Sequence, residues 1–115
     1  MAYDEGLAQR VRELLEEKPD FLEKKMFGGV CFLLNGNMVC GIINEDLIVR
    51  VGPEKYESSL KLRHVRKFDI TGKAMKGWVM VSYEGHESDK NLLNWIRQGV
   101  SYVQSLPEKS GKRIN

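Results

Sequence analysis

The sequence predicts an α+β domain of two layers, helices packed on one antiparallel sheet, in the order α-β-β-β-α-β-β-α. Three observations carry this expectation. The stretch Lys24 to Gly52 reads as three consecutive strands joined by tight turns, with β-forming residues dense from Leu47 to Val51. Asn35-Gly36 sits between two apolar runs, Val30 to Leu34 and Met38 to Ile43, and is the strongest short hairpin signal, because a type I′ turn needs positive φ at both central residues. Amphipathic helical periodicity brackets the sheet at both ends of the chain.

The elements follow in order. Asp4 to Lys18 is expected to be a helix, capped by Asp4, with Leu7, Val11, Leu14 and Leu15 on one face and Pro19 ending it. Phe21 and Leu22 fall in the connection, and Lys24 to Gly29 leads into the meander. Asn44-Glu45-Asp46 is its second polar turn. Both faces of the meander are apolar: Val30, Phe32 and Leu34 point one way, Cys31 and Leu33 the other. An antiparallel sheet with one wet face alternates instead, so something must cover the second face. Pro53 to Lys61 makes a short helix with proline at its first position. Phe68-Asp69-Ile70 is the expected fourth strand, closed by Thr71-Gly72, and Trp78 to Tyr83 the fifth, broken by Gly85. Ser88 to Leu106 is the longest helix, with Leu92, Ile96, Gly99 and Val103 on its buried face and Pro107 stopping it. One domain is expected over 1–107, with a flexible tail over 108–115.

Composition narrows the function. The chain has 115 residues, 42% hydrophobic and 30% charged, enough for one core. A net charge of +2 gives no strong field toward nucleic acid or membrane. No apolar run could span a bilayer, and the acidic start MAYDEGLAQR lacks the form of a signal peptide, so a cytoplasmic protein is expected. The two cysteines are then expected as thiols. If Asn35-Gly36 is a two-residue turn, Leu34 pairs with Asn37, Leu33 with Met38, Phe32 with Val39 and Cys31 with Cys40. That geometry suits buried free thiols better than a disulfide.

Chemistry-bearing patterns are few. His64 and His86 have no spacing to a cysteine or carboxylate that suggests a metal, and no Gly-x-Ser-x-Gly elbow exists. The expectation is a protein that is not an enzyme, with no cofactor and no metal. Three sets of residues are candidates for binding. Lys25 with Gly28 and Gly29 could form an amide nest for an anion; the plainer reading is a glycine bend before a strand. Arg50, between two valines in a strand, has the planar fork for a carboxylate or phosphate, and Lys76 in GKAMKGW repeats the basic-Met-Gly-aromatic flavour. Arg63, Arg66 and Lys67 could contact phosphates of a nucleic acid; otherwise they are a solvated loop.

The combination KKMFGG, FLLNGNM, LIVRVG and GKAMKGW, with the opening MAYDEGLAQRVRELL, resembles the N-terminal domain of the TfoX/Sxy family of bacterial competence regulators over nearly the whole chain. The resemblance implies a fold related to secretion-chaperone-like domains, in the order read above. It also implies a stand-alone version without the family's C-terminal domain, and transcription regulation as context, since the long members act with a cyclic-AMP receptor protein at promoters. It implies no catalytic residues. The expectation is therefore an interaction module that contacts a protein partner such as a transcription factor and forms a homodimer. A small-anion or nucleotide sensor using Lys25, Gly28, Gly29, Arg50 and Lys76 is the alternative, and direct DNA contact through Arg63, Arg66 and Lys67 the weaker one.

Overall fold

A computed structural model describes residues 3–18, 20–26, 28–69 and 72–106, with only the backbone of Met26. The expected stops at Pro19 and Pro107, the end of the fourth strand at Ile70-Thr71 and the tail 108–115 lie outside the described residues. The chain forms α1 (Glu5–Leu15), β1 (Phe21–Met26), β2 (Gly29–Leu34), β3 (Asn37–Ile43), β4 (Asp46–Arg50), α2 (Pro53–Leu60), β5 (Val65–Lys67), β6 (Trp78–Val81), α3 (Tyr83–His86) and α4 (Asp89–Gln104). The strands make one antiparallel sheet in the order β1-β2-β3-β4-β6-β5. This is the expected α+β fold, with β1 and the short α3 added to the predicted elements.

Local signals explain most boundaries. Asp4 caps α1, its carboxylate accepting from the Leu7 amide at 3.1 Å. Ser88 caps α4 by accepting from the Asn91 amide at 3.1 Å. Asn35 and Gly36 take φ of 52° and 81°, as a type I′ turn requires. Leu7, Ala8, Val11 and Leu15 bury one stripe of α1, while Leu14 lies off it, 37% exposed. In α4 the buried stripe is Leu92, Trp95, Ile96, Gly99, Val100 and Val103. Three strands differ from expectation. Phe21–Met26 is an edge strand whose charges occupy both faces, so it lacks clean alternation. The fourth strand sits at Val65–Lys67, with Phe68 and Asp69 already outside it. Strand β6 ends at Val81, because Tyr83 opens α3.

The helix-facing side of the sheet is built of cross-strand rows. Val30, Ile42, Leu47, Val81 and Val65 form one, and Phe32, Cys40, Val49 and Val79 the next. Helix α4 lies across β3 and β4, α1 packs on α4, and α2 packs on β5 and β6. Strand β3 carries an irregularity that decides the cysteines. Leu34 pairs with Asn37 and Leu33 with Met38 as expected, but Phe32 then pairs with Cys40 and Cys31 with Gly41. Val39 is the extra residue of a bulge. Val39 and Cys40 both join the helix-side core at 0% exposure. Gly99 of α4 comes so close there that an added Cβ would stand 2.9 Å from the Val39 carbonyl oxygen. Cys31 therefore points to the face opposite Cys40, and the expected Cys31–Cys40 pairing does not form. Both thiols are free and buried. Burial pushes both up, and Cys40, fully enclosed, is driven far above the ordinary thiol range.

Helix α1 is tied to the edge strand by an ion pair. Arg12 Nε and Nη2 each donate to one carboxylate oxygen of Glu23 at 2.7 Å. The hydrogen bonds from Arg12 hold the Glu23 carboxyl below its usual range, against a smaller opposing effect of burial. A carboxyl lowered in the folded state stabilises fully above its unfolded pKa, about 4.3, and loses that contribution as pH falls through the folded value. Glu23→Gln is expected to lower stability near neutral pH by about 1–2 kcal/mol, given a two-point contact only partly open to water. It should also flatten the fall in stability below about pH 4.5. Urea unfolding of both proteins across that range checks both parts.

Candidate functional site

The second face of the sheet is the surface the sequence left open. Its rows run Leu22, Leu33, Met38 at one end and Lys24, Cys31, Gly41, Ile48, Met80, Arg66 through the middle, with Arg50 beside Trp78. Part of it is covered by the chain itself. Phe68, at the start of the connection to β6, packs with Ile48 and Met80, and Met38, Ile43 and Trp78 adjoin that cluster. The Phe68 and Trp78 rings lie 6.2 Å apart. The other end has no such cover among the described residues. Leu22 is 48% exposed and Leu33 is half-buried; Met38, also half-buried, marks the border with the Phe68 cluster.

Arg50 stands at the rim of this face. Its guanidinium carbon lies 5.1 Å from the centroid of the Trp78 ring and 5.5 Å from that of Tyr102. The surrounding backbone holds the arrangement: the Val51 and Gly52 amides both donate to the Gly77 carbonyl oxygen, at 2.9 and 3.0 Å. Among the described residues, Arg50 takes part in none of the ion pairs. A cleft of about 410 Å³ opens nearby, lined by Gly52, Glu54, Lys55, Gln98 and Tyr102 among others, where α2 begins without a side-chain cap.

The five residues expected to form an anion site are not brought together. Arg50 pairs with Trp78, two positions from the exposed Lys76, so these two share one end of the sheet. Lys25, Gly28 and Gly29 are at the opposite strand ends, where Met26 pairs with Gly29. Strands β1 and β4 are three places apart, about 14 Å at the usual interstrand spacing. Gly29 is buried, and its hydrogen faces the Ile42 carbonyl oxygen so closely that a Cβ would lie 2.2 Å from it. It thus serves the close approach of strands.

The basic run is also divided. Arg63 is exposed before β5, while Arg66 and Lys67 alternate onto opposite faces of that edge strand. Arg66 is engaged by Asp46 at 2.9 Å and by the Ser82 hydroxyl at 2.8 Å. No single cationic stripe results from these three residues.

His86, unassigned by any pattern in the sequence, is 1% exposed. Its Nε2 lies 2.8 Å from the Glu45 carbonyl oxygen, which makes Nε2 a donor, and Nδ1 has no partner among the described residues. It fastens α3 to the β3–β4 turn. Among the described residues no three His, Cys, Asp or Glu side chains gather as metal ligands, and no helix is long and apolar enough to cross a membrane.

Comparison with known proteins agrees with the resemblance seen in the sequence. The family model for the TfoX N-terminal domain matches residues 13–102. Neither the comparison with curated proteins nor that with solved structures returns a match. The matched span runs from the last turn of α1 to the last turn of α4 and so takes in the whole sheet and both of its faces. The chain belongs to the TfoX N-terminal domain family.

Proposed function

We propose that this domain is a non-enzymatic interaction module in transcription regulation, docking a protein partner on the uncovered end of its sheet face. The observation that carries the reading is the apolar surface of Leu22 and Leu33, bordered by Met38, on a sheet face whose other half the chain has covered itself. Contiguous exposed apolar surface marks protein or membrane interaction sites and ligand grooves. The separation of Lys25, Gly28 and Gly29 from Arg50 and Lys76 favours this reading over a sensor, and the engagement of Arg66 favours it over DNA contact. Family membership supports the regulatory setting and a transcription factor as the partner.

The test is a photo-cross-linking amino acid placed in living cells at Leu22, Leu33 or Met38, with Glu13 and Gln104 on the helix layer as controls. The expected result is adducts from the sheet positions well above the controls. Equal yields from both sets would overturn the proposal. Sedimentation of the pure chain then separates occupants: twice the 13.2 kDa chain mass would make the adducts a homodimer, and a 13.2 kDa species would make them a different protein.

A further inference from the structure

We propose that the partner binds by adding an extended, acidic segment to the free edge of β1; this rests on the sheet face being the docking surface. Strand β1 is the outermost strand and pairs with β2 alone among the described residues. Met26 pairs with Gly29 across a two-residue connection, which makes that pair hydrogen-bonded, and the bonded pairs then alternate along the hairpin. The Asn35 amide donating to the Asp20 carbonyl fits the same phase. The N–H and C=O groups of Phe21, Glu23 and Lys25 consequently point away from β2, an open row for another strand.

Side chains around that row specify its occupant. Leu22 and Lys24 lie on the open face beside the edge, and Lys24 and Lys25 are both exposed. The Glu23 side chain is held by Arg12 under α1 and does not offset Lys24 on the open face, while Lys25 lies on the Glu23 side of the strand. A second copy fits poorly. Two-fold pairing of β1 with itself sets Glu23 against Glu23 or a lysine against its own copy at the centre, and like charges directly opposite are destabilising. Centring on Leu22 leaves only the start of the strand paired. A segment with acids opposite Lys24 and Lys25 and an apolar residue opposite Leu22 meets every position.

The probe is the blocked peptide Thr-Glu-Glu-Thr-Val-Val, with Thr-Lys-Lys-Thr-Val-Val as its charge-reversed counterpart, titrated into the full ¹⁵N-labelled chain. The acidic peptide should bind about tenfold tighter or more, lose that advantage in high salt, and slow hydrogen exchange at the Phe21, Glu23 and Lys25 amides. Lys25→Pro removes one outward N–H without touching the β1–β2 ladder and should abolish binding. The double variant Lys24→Glu, Lys25→Glu, which keeps the backbone intact, should reverse the peptide preference. No binding by either peptide, or equal binding by both, overturns the proposal. Shifts at Leu33 and Met38 without protection in β1 also overturn it but leave the open face as a docking surface.

Discussion

Gly52→Ala is expected to destabilise the domain by about 3–4 kcal/mol, the sum of a backbone conformation closed to L side chains and a direct collision. Gly52 has φ 90° and ψ 159°, a region that essentially only glycine occupies. A Cβ there would lie 2.5 Å from Cδ1 and 2.7 Å from Cε1 of Tyr102. The ring cannot retreat freely, since it also flanks Arg50. Gly72→Ala is the control: its φ is 88°, but nothing lies within 4 Å of the added carbon, so only the conformational part remains, about 1–2 kcal/mol. Urea unfolding of both variants checks the difference. Equal losses would show that Tyr102 yields without cost.

Phe32→Ala is expected to cost about 3–5 kcal/mol, the usual loss for a large aromatic removed from a core that cannot collapse. Phe32 is 0% exposed and pairs with Cys40 beside the Val39 bulge. Its ring stacks on Phe21 at 6.2 Å with an interplanar angle of 17°. Deleting it also loosens β1 from β2, so amide exchange in Phe21–Met26 should accelerate more than the change in global stability alone accounts for. Leu33→Ala, one residue away on the open face, should cost less than about 1.5 kcal/mol, because its site is already partly open to water.

The parts of the fold legible in the sequence are those set by local chemistry. Asn35-Gly36 specified the turn and the first two pairs beyond it, and Asp4, Pro53 and Ser88 marked helix starts. The bulge was not legible, because nothing in the side chains of Met38, Val39 and Cys40 says which of them goes unpaired; the close approach of Gly99 from α4 favours that geometry. Strand β1 was hidden by Glu23, Lys24 and Lys25, whose charges guard an edge and erase the alternation that would reveal it. For the same reason the apolar Phe68 and Ile70 suggest a fourth strand that in fact lies at the charged Val65–Lys67. At the candidate site, the apolar character of both faces was visible in Cys31 and Leu33, but which end stays uncovered depends on where Phe68 folds back. The pairing of Arg50 with Trp78 needed the strand order, which no local pattern contains.

The sheet order also sets a sequence of events in time. Strands β1 to β4 each pair with their chain neighbour across a short turn, so their loop closures are the least costly available. Strand β6 must return past positions 51–77 to reach β4, a slower closure. Until it arrives, Leu47, Ile48 and Val49 form an unpaired edge that is apolar on both faces, the kind of surface through which nascent chains stick to one another. The arrival of Trp78–Val81 is thus the step that takes the folding chain out of danger of aggregation.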